Sequence, residues 1–186
     1  MFTTFGLSQI VNVCDSGRAC ITTLNPDAKC YIKGKTVAGN EIYACAGVAS
    51  SGVSNSLITS ITETGNPGVA FGSGTTAPTA TDYNMETLVT TLTATVTTDK
   101  YYDTTDNNYK LRADYTISNS TANDITISEF GKFAKYGTNA TIGGSSGTAK
   151  LFMIMHETFE PITIAAGGQL LFRVEYIYPG DLSAAT

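Results

Sequence analysis

The chain holds a single histidine, His156, so any acid–base chemistry that needs an imidazole has one source. It lies in "MIMHETFEP", beside Glu157 and Glu160, which on a strand would alternate with it rather than converge. No G-x-S-x-G elbow supplies a serine nucleophile. The expectation is a histidine satisfied by its neighbours at a strand end. A second chemical prospect is "VAFGSGTTAPTATDYNME", residues 69–86, with Gly72 and Gly74 followed by hydroxyls. A phosphate loop needs G-x-x-x-x-G-K-[ST], yet the nearest downstream lysine here is Lys100. A dinucleotide fingerprint needs a third glycine at the mouth of a helix, where this chain has Ala77 and then Pro78. The run reads instead as a strand ending at Phe71, a turn that uses positive φ at a glycine, and an extended Thr/Pro segment. Its hydroxyls and Asp82 are expected to cap backbone groups at a sheet edge.

Carboxylates offer two further options. Asp103 and Asp106, in the loop "DKYYDTTDNN", have the oxygen chemistry calcium takes, but no EF-hand spacing surrounds them. The same pair, or Glu157 with Glu160, has the residue types of a glycosidase, and a solvated turn explains Asp and Asn equally well. Tyr101, Tyr102 and Tyr109 flank that loop, a composition shared by sugar sites and by protein–protein contacts. No catalytic residue, cofactor or metal centre is expected.

Cysteines fall at 14, 20, 30 and 45, without a C-x-x-C pair or a nearby histidine, and read as packed thiols rather than zinc ligands. Asn119 and Asn139 match the glycosylation sequon but read as ordinary turn residues.

The elements that must position these residues are strands. Charged residues make up only 15% of the chain, and Thr, Ser, Asn and Gly replace them, which disfavours helix and favours strands and turns. "KLRADYTIS" sets Leu111, Ala113, Tyr115 and Ile117 against Lys110, Arg112, Asp114 and Thr116. "LLFRVEYIY" sets Leu170, Phe172, Val174, Tyr176 and Tyr178 against Leu171, Arg173, Glu175 and Ile177. "LTATVTT", "DITISEF" and "SLITSITE" read as further strands, and "KLFMIMHETF" as one buried on both faces or lying at an interface. A short helical turn is expected around residues 84–89. Turn signals occupy 104–108, 118–124, 139–149 and 165–168. The expected fold is all-β, an antiparallel β-sandwich of jelly-roll-like type, over residues 51–186. Residues 1–50 form an N-terminal arm or small subdomain, with strands expected in "AKCYIKGKT" and "NEIYACAGVA" around the turn "VAGNE".

A net charge of −5 with scattered lysines and arginines argues against nucleic acid and against a membrane surface. No apolar run reaches the length of a membrane span. The N-terminus lacks a basic region before an apolar stretch, so synthesis in a cytoplasm without export is expected.

Three segments in order carry a likeness. They are "VAFGSGTTAPTATDYNME", then "YKLRADYTISNSTANDITISEFGKFAKY", then "LFMIMHETFEPITIAAGGQLLFRVEYIY". The series resembles a group of tailed-bacteriophage virion structural proteins. Its landmarks are Gly72, Gly74, Pro78 and Asp82, then Arg112, then Ile127, Glu129 and Gly131. Last come His156, Phe159, Pro161, Ile162, Ile164 and Gly167. The likeness covers residues 69–178 and leaves the cysteine-bearing N-terminal region outside. His156 departs from it, standing where the pattern leads one to look for arginine. The resemblance implies a β-sandwich building block on the head, neck or tail of a particle, made in the host bacterial cytoplasm. It implies partners among capsid, neck or tail subunits and further copies of the chain, with head decoration favoured, and no catalysis. A receptor- or glycan-binding module of a fibre is the alternative, with the tyrosine-flanked loop as its surface. An enzyme acting on cell-wall sugar is the third.

Overall fold

The structure, a computed structural model, describes residues 31–45, 54–136 and 149–179. The protein is all-β: the described residues form antiparallel sheets and no helix. The strands are β1 (Tyr31–Lys35), β2 (Glu41–Cys45), β3 (Gly68–Gly72), β4 (Thr93–Asp103), β5 (Asn108–Ser118), β6 (Ile125–Tyr136), β7 (Lys150–Ile164) and β8 (Gln169–Pro179). The chain divides into two compact units. One contains the described residues up to Thr90 together with those of Thr126–Thr163, and the other contains Thr91–Ile125 and the described residues from Ile164 onward.

The first unit is built on the sheet β3-β6-β7 and the hairpin β1-β2. The hairpin turns where "VAGNE" signalled, with Gly39 at φ 83°, a backbone region that glycine enters without strain. β7 is buried on both faces along its first half, as its apolar pattern requires. Leu151 and Met153 join Val37, Ile58, Ala70 and Phe133 on one face. Phe152 joins Ala134 and Tyr136 on the other, with Ile42 of the hairpin and Ile154 against them. The two strands expected for the N-terminal region therefore pack in the same unit as β3, β6 and β7.

Two local expectations fail here. "SLITSITE" is not a strand: Leu57 makes a single parallel bridge to Val69, and the chain then bends away. Its β-branched side chains are spent on core contacts, Ile58 buried and Ile61 packed beside it. Residues 84–89 form no helical turn. Leu88 bridges Gly72 instead, and Val89 donates its amide to the Phe71 carbonyl at 2.9 Å. The β-pairing of this segment outcompetes its helix propensity.

The second unit is the sheet β4-β5-β8, paired antiparallel without a bulge. The period-two patterns hold from Ala113 to Ile117 and from Leu171 to Ile177. Ala113, Tyr115, Ile117, Val174 and Tyr176 are buried, while Leu171, Arg173, Glu175 and Ile177 face outward. The β5–β6 connection is tied to the β7–β8 connection by Asn119, which is buried. Its amide donates to the carbonyls of Asn123, Ile164 and Ala165 at 2.8, 3.0 and 3.2 Å, and its oxygen accepts from the Thr121 amide and hydroxyl. Far from an ordinary turn residue, it knots two connections together, and this burial removes it as a glycan acceptor. Cys14, Cys20 and Asn139 lie outside the described residues, as does Cys30.

Candidate functional site

Glu129 of β6 is the anchor of the first unit's polar centre. Its carboxylate is fully buried, yet it meets four donors. Oε1 accepts from the Glu86 amide at 2.7 Å and from His156 Nε2 at 2.9 Å. Oε2 accepts from the amides of Gly74 and Thr87, each at 3.2 Å. A buried carboxylate is costly unless paired and bonded on all sides, and this one is.

Those donors come from the segment 73–87, which leaves β3 and returns beside it. Ser73 donates to the Thr87 carbonyl at 2.9 Å, and the Ser128 hydroxyl donates to the Gly74 carbonyl at 2.9 Å. With its ends closed by the Gly72–Leu88 bridge and its interior filled by Glu129, the segment is a compact loop of the Ω kind. The glycines serve a purpose other than the one their sequence context suggested. Neither Gly72 nor Gly74 has positive φ. They are required for close approach: a Cβ on Gly72 would collide with Glu129 Oε2 and the Thr87 carbonyl, and one on Gly74 would lie 2.6 Å from Glu129 Oε2. Gly131, two residues along β6, likewise leaves room for Met85, whose sulfur would lie 3.0 Å from an added Cβ.

His156 of β7 completes the arrangement. It is buried, with Nδ1–H donating to Asp82 Oδ2 at 2.6 Å and Nε2–H to Glu129 Oε1 at 2.9 Å. Asp82 also takes the Thr79 amide at 2.8 Å and the Thr79 hydroxyl at 2.5 Å, so it caps its own turn as expected and ties that turn to the sheet. Burial is the largest influence on the imidazole and opposes its charge. The bonds to Glu129 and Asp82, with their charges, outweigh it and raise the histidine above its ordinary value. Burial likewise pushes both carboxyls upward, but the hydrogen bonds prevail and both end below their ordinary values. The group is thus a ring held between two carboxylates, whose hydrogen bonds and charges favour its protonated form. With both ring nitrogens engaged, it offers no free lone pair to a substrate. Glu157 and Glu160 are exposed, and the ring nitrogens bond Asp82 and Glu129, partners that the sequence alone did not reveal.

A polar cleft of about 450 Å³ opens beside this Asp82–His156–Glu129 latch, lined by Thr76, Thr79, Asp82, Tyr83, Glu86 and His156 among others. Pro78 is half-buried within the loop. Asn84 fastens the loop to the first hairpin by donating to the Val37 carbonyl at 3.0 Å, and Lys35 Nζ lies 4.9 Å from the Tyr83 ring centre. A second polar knot nearby went unsuspected in the sequence: Glu63 accepts from Thr36 (2.8 Å), Asn40 (2.9 Å) and Lys150 (2.7 Å). The bond from Asn40 first, then those from Lys150 and Thr36, pull its carboxyl down to about 2.

The remaining landmarks lie elsewhere. Pro161 is exposed on β7. Arg112 belongs to the second unit, where it lies 3.6 Å from Asp99 and 3.6 Å from Asp114, with its guanidinium 5.8 Å from the Tyr101 ring centre. The tyrosine-flanked loop is the β4–β5 hairpin tip, with Asn107 at φ 54°. Asp103 and Asp106 both accept from Lys110 Nζ, at 2.7 and 2.8 Å, so the two carboxylates share a cation supplied by the chain itself. Tyr102 and Tyr109 pair across the strands, rings 4.8 Å apart, and the Tyr102 hydroxyl bonds Asn107. With Lys100, Tyr101, Lys110 and Leu111 they line a shallow cleft of about 430 Å³.

Comparisons with protein-family models, with curated proteins and with solved structures find no match to this chain.

Proposed function

We propose that this chain is a structural component of a bacteriophage particle that binds capsid or tail subunits, as a head-decoration or cementing protein. The observation that carries the reading is the convergence of its landmarks. Gly72, Gly74 and His156 are far apart in sequence and gather around the Glu129 carboxylate, with Asp82 joined through the His156 ring and Gly131 making room for Met85 of the loop. Each is used to fasten a threonine- and proline-rich loop to a sheet. Residue types capable of chemistry are thereby engaged with one another in fastening the loop, which supports a building-block role. Mass spectrometry of purified particles tests it: the chain is expected in fixed stoichiometry with the major capsid or tail subunits. Its absence from particles made by a host expressing it would sink the proposal.

A fibre-type glycan-binding role is the second reading, favoured by the exposed Tyr102–Tyr109 pair above an apolar-lined cleft. Aromatic faces beside hydrogen-bonding groups suit sugar rings. A glycan array on the purified chain, with Tyr109→Ala as control, separates the two readings.

A further inference from the structure

The outward face of the β4-β5-β8 sheet carries charges in rows, and one row stops short at β8. Cross-strand register aligns Asp99, Arg112 and Glu175, an order of negative, positive, negative. The adjacent row aligns Thr97, Asp114 and Arg173, the last two joined at 2.7 and 3.0 Å. β8 is the edge of this sheet, and no described strand pairs with its outer side. Two large apolar side chains flank the charges on it: Leu171 is 62% exposed and Ile177 is 55% exposed. An eleven-residue edge with exposed aliphatic groups and Pro only at its end is a template for another strand.

We infer that β8 pairs with β8 of a second copy, antiparallel, about a two-fold axis at Val174. This names a self-association surface for the particle protein proposed above and rests on that reading for its setting. The strand is self-complementary in this register alone. Centring on Val174 places Arg173 opposite Glu175 of the second copy, and Leu171 opposite its Ile177. Centring on Arg173 or Glu175 would set like charges face to face, which destabilises a cross-strand pair. In the Val174 register the row in one copy runs Asp99, Arg112, Glu175 and continues into Arg173 and Asp114 of the next, alternating in sign across the axis. The exposed leucine and isoleucine cover each other on either side, and roughly ten backbone hydrogen bonds close the seam. The resulting six-stranded sheet has β8 at its centre.

Sedimentation of the purified chain tests this. Wild type is expected at twice the 19.6 kDa chain mass at micromolar concentration. Leu171→Glu and Ile177→Lys are each expected to weaken the dimer about tenfold or more, since each leaves an aliphatic group facing a charge. The double variant places Glu opposite Lys twice and is expected to recover much of the lost affinity. Both positions are exposed, so the monomer fold tolerates them. Should a variant misfold, hydrogen exchange on wild type decides, with β8 amides more protected at high concentration than at low. A wild type that stays monomeric, single variants that dimerise like wild type, or β8 exchange indifferent to concentration would each overturn the inference. Particle stoichiometry is a separate measurement, so a dimer missing from virions would count against the particle reading and leave this one standing.

Discussion

Glu129 and His156 stand on neighbouring strands, β6 and β7, with a carboxylate that solvent never reaches 2.9 Å from an imidazole nitrogen. The pair decides whether the 73–87 loop has a floor. Removing the ring strands a charge that water cannot compensate. His156→Ala is therefore expected to cost about 3–5 kcal/mol, the range for breaking a buried ion pair, read by urea unfolding.

Glu129→Gln tests the hydrogen bonds apart from the packing. Glutamine is nearly isosteric but turns an NH₂ toward donors from Gly74 and Thr87 or from Glu86 and His156. A loss of about 2–4 kcal/mol is expected, with new protease cleavage inside 73–87.

The latch has a pH window. His156 is raised above 6.5, so its stabilisation is complete below that value and is lost as pH climbs through the folded-state value. Glu129 and Asp82 are lowered from 4.5 and 3.8, so theirs is complete above those values and is lost as pH falls through the folded-state ones. Unfolding free energy is expected to plateau between pH 4.5 and 6.5 and to decline on both sides. Burial holds Lys132 down at about 8, which adds stability as pH rises beyond that value. The histidine limb is therefore read as the difference between wild type and a variant that does not titrate at position 156. A difference that is flat across pH would contradict the charge assignment.

Arginine at position 156 gives a sharper version of the same test. A guanidinium can donate to Asp82 and Glu129 together and does not titrate near neutrality. His156 borders an open cleft of about 450 Å³, which leaves room for the longer side chain. His156→Arg is expected to keep the acid limb of the profile and abolish the alkaline one.

Gly72→Ala is expected to destabilise by about 1–3 kcal/mol through overpacking, because the obstructing atoms include backbone that cannot step aside. Gly167→Ala, where an added Cβ meets nothing within 4 Å but φ is 70°, isolates the cost of backbone conformation alone. Thermal melts of the two variants distinguish crowding from strain.

What could be read in advance followed from period. Residues 110–117 and 170–177 alternate so regularly that burial along β5 and β8 was fixed by spacing two. The two-sided burial of Leu151–Met153 was likewise legible as an uninterrupted apolar run. The latch was not, because Asp82, Glu129 and His156 lie on a loop and two strands, and no local spacing links them. His156 was correctly expected to be satisfied, but it lies inside β7 rather than at a strand end, and its partners could be named only once β6 and β7 were neighbours. The glycines at 72 and 74 were legible as necessary and misjudged in kind: sequence suggests torsional freedom, whereas the need for empty space depends on a carboxylate more than fifty residues away.

The 74-residue separation of Asp82 from His156 also sets a clock. Chains grow at about 5–20 residues per second, so the loop waits roughly 4–15 s on the ribosome between the synthesis of its acid and that of its histidine. During the first part of that interval, until Glu129 is made, the amides of Gly74, Glu86 and Thr87 lack their shared carboxylate, and Asp82 lacks its imidazole until the end of it. A nascent chain stalled before residue 156 should expose the loop to protease, and one stalled after β7 has emerged should protect it. Maturation of the loop is thus a late event in the life of the polypeptide, timed by the arrival of a single imidazole.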